Sequence, residues 1–142
     1  MKKTWISQSL REHVSQKARY RCGYCLTPQR IIGMPMEVEH IIPESMGGTT
    51  REENLWLACR RCNRYKGIQT DAIDPKTGRR VPLFNPRIQA WKRHFAWSDD
   101  GIRILGRTAI GRATVEGLRL NNEIIMDARR LWVQAGWHPP KD

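Results

Sequence analysis

Two sets of chemically capable side chains interleave between residues 22 and 66 of this 142-residue chain. Cys22-Gly23-Tyr24-Cys25 and Cys59-Arg60-Arg61-Cys62 supply four soft sulfur ligands, whereas Glu39, His40 and Asn63 supply hard oxygen donors and an imidazole that takes a proton near neutral pH. A metal scaffold and a reactive centre therefore share one short segment. The four cysteines are all that the chain has, and they fall in two C-x-x-C pairs with 33 residues between them. Thiolates so spaced predict a tetrahedral four-cysteine zinc site, closed to further ligands and hence structural. The chain opens without an apolar signal-peptide core, so a cytoplasmic, reducing setting is expected and a disulfide framework is not. A redox dithiol would need only one pair, and no βαβ pattern surrounds either.

Charge points to the partner. Lys and Arg number 25 against 14 Asp and Glu, a net charge of +11. The excess is local: residues 51–93 carry 11 basic and 4 acidic side chains, whereas residues 26–50 set Glu37, Glu39 and Glu44 against Arg30 alone. An acidic spot within a basic surround suits a cation-binding centre that must meet a polyanion, so nucleic acid is expected. No apolar run reaches the length of a membrane span.

Reading along the chain places these residues on elements. Ser9-Leu10-Arg11-Glu12 reads as a capping box opening a helix to about Tyr20, with Leu10, Val14 and Ala18 on one face. Gly33 and Pro35 end the next loop, and Met36 to Ile42 fit a short strand carrying His40 and stopped by Pro43. Gly47-Gly48 marks a loop, Thr50 to Glu53 reads as a capped single turn, and Asn54 to Leu57 as the return strand. A helix from about Cys62 to Ile68 then carries Asn63, Arg64 and Lys66. Beyond residue 70, Asp74 to Gly78 reads as a turn-rich linker, with Pro82 and Pro86 keeping the chain irregular up to a short helix around Ile88 to Phe95. A β-hairpin is predicted over Trp97 to Leu105, a helix capped by Thr108 over Ala109 to Leu120, and another capped by Asn121 or Asn122. Its stripe of Ile124, Ile125, Ala128, Leu131, Trp132 and Ala135 reads as core.

The order Val38-Glu39-His40-Ile41-Ile42-Pro43, Gly47-Gly48, Asn54-Leu55 and Cys59-x-x-Cys62-Asn63-x-x-Lys66 resembles the HNH, or ββα-metal, endonuclease family, in its form stapled by two C-x-x-C knuckles. The likeness covers roughly residues 20–70. Leu83-Phe84-Asn85-Pro86-Arg87 and Gly111-Arg112-Ala113-Thr114-Val115 are also similar to stretches in small bacterial members, more softly. The resemblance implies an α+β fold with a ββα core. Its expected boundaries are 1–72 for the core with its opening helix and knuckles, and 73–142 for a hairpin-plus-helices extension packed on it.

Phosphodiester hydrolysis needs an activated water, charge neutralisation at phosphorus and stabilisation of the departing alkoxide. The resemblance implies His40 as general base, Glu39 and Asn63 as holders of one divalent cation, and Asn54 as a brace for the loop behind the histidine. Oxygen donors of this kind suit Mg²⁺ or Mn²⁺. Adjacent strand residues face opposite ways, so Glu39 and His40 can serve one phosphate only where the strand ends or bends. Glu39 stands where Asp is commoner in the family, and Asn63 where His is commoner, a variation that bears on metal selectivity. Arg60, Arg61, Arg64 and Lys66 are the candidate phosphate contacts, although Arg61, beside a sulfur ligand, can also turn away. His13, His94 and His138 read as packed or solvated histidines. DNA is the expected partner, with a homodimer or a larger nuclease complex left open. The rival reading is a non-catalytic zinc-stapled DNA-binding module. A zinc deaminase is disfavoured, because it needs H-x-E and P-C-x-x-C where this chain has Glu39-His40 and Ala58-Cys59.

Overall fold

Three antiparallel hairpins and six helices make up the fold, as seen in a computed structural model that describes residues 5–141. The opening helix α1, Gln8–Lys17, is capped by Ser7, whose hydroxyl accepts from the Leu10 amide at 3.1 Å. The cap thus lies two residues before the expected Ser9. Val14 and Ala18 are buried as the stripe predicts, but the helix stops at Lys17 because Arg19 and Tyr20 turn into the left-handed region, at φ 57° and 56°. One further turn of helix, α2, Gln29–Ile32, precedes strand β1, Glu37–His40.

β1 pairs with β2, Leu55–Ala58, in the register Glu37↔Ala58 through His40↔Leu55. Between them lie two single 3₁₀ turns, Glu44–Met46 and Glu52–Asn54. Thr50 caps neither of them, because its hydroxyl is engaged with His40 and Glu44. Helix α3, Arg60–Lys66, follows at once, with the Cys59 sulfur accepting from the Cys62 amide at its start. Strand, strand and helix stand in the order expected of the α+β core.

The stretch read as an irregular linker contains a third pairing: β3, Asp71–Ile73, with β4, Arg80–Pro82. Its strands are three residues long and lack a period that the sequence could announce. Its turn is organised by Asp74, whose carboxylate accepts from the Lys76 amide and the Thr77 hydroxyl and receives two bonds at 2.9 Å from Arg112. The short helix α4, Trp91–His94, leads into β5, Phe95–Trp97, which pairs with β6, Ile104–Gly106, across the Asp99-Asp100-Gly101 turn. Helix α5, Ala109–Gly117, is capped by Thr108 and packs on β6 and β3. It can lie that close only because residue 111 is glycine, since a β-carbon there would stand 2.0 Å from the His94 carbonyl oxygen. The two softer motif stretches meet here. Buried Thr114 accepts from the Phe84 amide at 2.9 Å and donates to the Ile110 carbonyl.

Helix α6, Glu123–Gln134, capped by Asn122, corrects the expected apolar stripe. Ile125 is buried, but Ile124 and Leu131 are 82% and 65% exposed, and the largest buried side chain on the helix is Arg129. Its guanidinium donates to the carbonyls of Ile102 and Leu120 and to Asn121 Oδ1, and lies over the Trp97 ring. Burial pulls its pKa down to about 10, still charged at neutral pH. The core joins Tyr24, Leu57 and the four cysteines to Phe84, Phe95, Ile104, Leu118 and Leu120. No helix among the described residues is long and apolar enough to cross a membrane.

Glu52 ties three pieces of this frame together, meeting His13 and Lys17 of α1 and Arg87 of the C-terminal half at 2.9–3.0 Å. Hydrogen bonds from Lys17, Arg87 and His13 hold its pKa at about 2, against an ordinary 4.5. A depressed carboxylate contributes stability above its unfolded pKa and loses it as pH falls towards its folded one, here from about 4.5 to about 2. Glu52→Gln is therefore expected to lower the denaturation midpoint at pH 7 and to leave it less dependent on pH between 5 and 2.5 than in the parent. Urea titrations at a series of pH values check this.

Candidate active site on the strand–strand–helix core

Residues two apart on a strand share a face, and residues three apart on a helix do likewise. Glu37 and Glu39 of β1 accordingly look at α3, and Asn63 and Lys66 look back. The outcome is two parallel rungs. Asn63 Nδ2 donates to Glu37 Oε1 at 2.7 Å, and Lys66 Nζ lies 3.6 Å from Glu39 Oε2. The buried Tyr24 hydroxyl, from the first knuckle, donates to Glu39 Oε1. Burial pushes the Glu39 carboxyl upward, opposed by the Lys66 charge and the Tyr24 hydrogen bond. Its Oε2 accepts no hydrogen bond and is faced only by the Lys66 ammonium.

Lys66 corrects its expected place among the phosphate contacts. It is 2% exposed, and its ammonium donates to the Ile41 and His40 carbonyls at 3.0 and 3.4 Å. Those carbonyls lie where β1 gives out ahead of Pro43 and have no strand partner there, so the buried cation is held by backbone and carboxylate and cannot also reach solvent. Arg61 also turns inward, its Nη2 3.5 Å from Cys25 Sγ. Arg60 and Arg64 are exposed on the outer side of α3.

His40 is the last residue of β1, and its ring meets the loop rather than the helix. Nε2 lies 2.9 Å from Thr50 Oγ1 and 3.7 Å from Glu44 Oε1. The Thr50 hydroxyl donates to Glu44 Oε1 at 3.1 Å. A hydroxyl has one proton to give, so with that proton on Glu44 it accepts from His40, and Nε2 carries the ring proton. The other ring nitrogen, Nδ1, takes no part in the Thr50–Glu44 network. This assignment follows from the hydrogen-bond network.

Asn54 holds the loop behind the histidine. Its side chain accepts from the Ile42 amide at 2.8 Å and donates to the Ile42 and Thr49 carbonyls at 2.9 Å each. Gly48 is pressed against the same point, and a β-carbon there would sit 1.7 Å from the Ile42 oxygen. The glycine pair thus lets the loop fold tightly enough for Thr50 to meet His40.

The four cysteine sulfurs lie within 4.8 Å of one another, all buried. Cys25 Sγ and Cys59 Sγ are 3.8 Å apart, matching the edge of about 3.8 Å of a tetrahedron with Zn–S bonds near 2.3 Å. Hydrogen bonds from Cys22, Cys59 and Cys62, with the Arg61 guanidinium behind them, hold the Cys25 thiol well below its ordinary pKa. The donor set and spacing fit a closed tetrahedral zinc.

Residues 22–69 match the family model described as HNH endonuclease. Over that third of the chain the sequence is similar to this family. No curated protein and no solved structure matches the chain. The HNH segment begins at the first knuckle and ends just after α3, so it contains the sulfur cluster, both rungs and the His40 loop. The likeness implies nuclease-type chemistry and metal binding. The sequence reading counts Glu37 and Glu44 only as part of an acidic spot, takes Thr50 for a cap and gives Tyr24 no role in the site. For Glu37 the signal was present, because it stands two residues before Glu39 on a strand and so shares its face; the other three meet their partners only through loop and knuckle geometry. The remaining histidines stand apart from the site: His94 is buried against Phe84, His138 bonds the Gly101 carbonyl at 2.9 Å, and His13 pairs with Glu52 at the surface.

The purified protein should contain one zinc per chain. A structural zinc contributes on the order of 10 kcal/mol, as much as the whole stability of a small domain. Cys59→Ser should therefore lose the metal and its cooperative thermal transition together. Elemental analysis beside circular dichroism checks both; stoichiometric zinc with a parental melting curve would contradict the assignment.

Proposed function

We propose that this protein is a metal-dependent endonuclease that hydrolyses phosphodiester bonds of DNA, with His40 as general base and one divalent cation, Mg²⁺ or Mn²⁺, held by Glu39 and Asn63. The observation that carries the reading is the His40–Thr50–Glu44 relay within an HNH segment: it leaves a histidine lone pair available at the end of a strand whose preceding residue is a carboxylate.

The donor set supports the cation. Glu39 offers a carboxylate oxygen that accepts no hydrogen bond and Asn63 an amide oxygen, both hard ligands. When bound, the ion would neutralise charge on the phosphate and stabilise the leaving oxygen. Asn63 meets Glu37 through Nδ2, which leaves its Oδ1 for a cation, whereas the Lys66 ammonium would have to yield its place beside Glu39 Oε2. His40 takes the proton from water at Nδ1, and Thr50 and Glu44 steady the imidazolium that results. Asn54 keeps the loop in register. Arg60 and Arg64, exposed on α3, attract and hold the polyanion.

A second reading is the non-catalytic DNA-binding module, favoured by one observation. Glu39 is already paired with Lys66 and Tyr24, which is how a purely structural carboxylate would be satisfied.

The two readings part on plasmid cleavage under a titration of Mg²⁺ and Mn²⁺. His40→Ala should retain zinc, fold and DNA affinity while losing cleavage by about 10²- to 10⁴-fold, the usual contribution of a general base, at every metal concentration. Glu39→Ala and Asn63→Ala should instead recover part of their activity at high metal. Near-parental cleavage by His40→Ala would remove the assignment, and a parental protein that binds DNA but cleaves none would establish the binding module.

Thr50→Val keeps the shape of residue 50 and breaks the relay. Turnover should fall by on the order of 10-fold, less than for loss of the base itself, with KM and the metal requirement unchanged. Thr50→Ser should restore it. Steady-state kinetics of the three proteins checks the order.

A further inference from the structure

A second basic surface lies outside the HNH segment. The Arg19–Arg21 turn that follows α1, the start of α2 and the C-terminal tail line a cleft of about 870 Å³. Arg19, Arg21, Arg30 and Lys141 line it together with the aromatic rings of Tyr20 and Trp137. None of the three arginines has a carboxylate partner among the described residues. Burial and, after it, the neighbouring Arg19 charge pull the Arg21 pKa down. Trp137 is 60% exposed although its backbone is fixed: its amide donates to the Trp132 carbonyl at 2.9 Å, and the next residue, His138, is buried on the Gly101 carbonyl. Opposite, Arg19 and Tyr20 hold consecutive left-handed conformations, uncommon for residues with side chains, and the Tyr20 hydroxyl is anchored on Glu12.

Unpaired cations interleaved with anchored, exposed aromatic faces are what a single nucleic-acid strand needs, since phosphates take the charge and unstacked bases take the rings. A duplex offers no free base faces, and an acidic peptide has no use for two open rings at fixed positions. The cleft also continues a surface already implicated. A neighbouring depression of about 720 Å³ is lined by Arg60, Arg61 and Arg64 of α3, and Ile31 of α2 belongs to both. We infer that the cleft between the Arg19–Arg21 turn and the C-terminal tail binds a single-stranded stretch of nucleic acid flanking the segment held at α3, with a base stacked on Trp137. This rests on the nuclease reading only for the identity of the polymer.

Fluorescence anisotropy of the full-length protein with labelled oligothymidylate, and with a blunt duplex of equal length, tests it. Trp137→Ala should weaken single-strand binding by about 5- to 150-fold, the equivalent of one lost stack, and leave duplex binding unchanged. Trp137→Phe should restore most of it. Arg19→Ala and Arg30→Ala should each flatten the dependence of single-strand affinity on log salt by about 0.7. Parental single-strand affinity in Trp137→Ala, or equal losses on both substrates, would overturn the proposal. Cleavage assays keep the two readings apart. A parental protein that cuts nothing, while its single-strand binding still depends on Trp137, leaves the cleft standing and removes the nuclease. A protein that cuts duplex while Trp137→Ala binds single strands normally does the reverse.

Discussion

Four cysteine sulfurs drawn within 4.8 Å of one another decide where helix α3 lies against strand β1, and every feature of the candidate site depends on that placement. The first pair sits before β1 and the second at the start of α3, so joining them closes the hairpin and presents the helix to it as one operation. Two short strands and a helix of seven residues could not hold this arrangement on their own apolar area. The C-terminal half adds a second support from outside. The Trp91 indole donates to the Tyr24 carbonyl inside the first knuckle at 2.8 Å, and the aromatic pack of Phe84, Trp91 and Phe95 lies behind it.

Buried charge is the second organising feature, and each instance joins parts distant in sequence. Lys66 connects helix, strand end and carboxylate; Arg112 and Asp74 join α5 to the β3–β4 turn; Arg129 closes the carbonyls at Ile102 and Leu120. A buried ion pair is a weak source of net stability, because desolvation consumes most of the attraction, yet breaking one partner leaves a costly charge inside. Such contacts act chiefly as restraints on alignment. The Lys66–Glu39 pair has a particular consequence for function, since the carboxylate proposed to hold a cation already faces one. The ammonium holds that carboxylate in place without a divalent ion, at the cost of competing with it.

The opening helix, the loop bearing His40 and the C-terminal half meet at Glu52. The face carrying Arg60 and Arg64 runs past Ile31 towards the cleft beneath Trp137. The charge excess evident in the composition is therefore spread along a path, with aromatic rings at its far end, rather than gathered only beside the histidine.

The family likeness and the sulfur donor set were legible in the residues of the chain. Four sulfurs at knuckle spacing, Glu39 before His40, a glycine pair and Asn54 in order, and a knuckle followed by Asn63 are local facts that no packing could alter, and they carried the HNH assignment and the strand–strand–helix order. Helix caps at Thr108 and Asn122 were equally local, because a cap needs only its own first turn. Contacts made across elements were not legible. Asn63 meets Glu37, Lys66 turns inward to free carbonyls, and Thr50 serves His40 rather than a helix start, each because two elements come together in one register among several that composition would allow. The same holds for α6, where hydrophobicity alone pointed to Ile124 and Leu131 as core. The structure buries Arg129 instead, since three oxygen acceptors at the end of a hairpin and an adjoining turn outweigh an aliphatic side chain's preference for the interior, and only the folded chain brings those acceptors to one place.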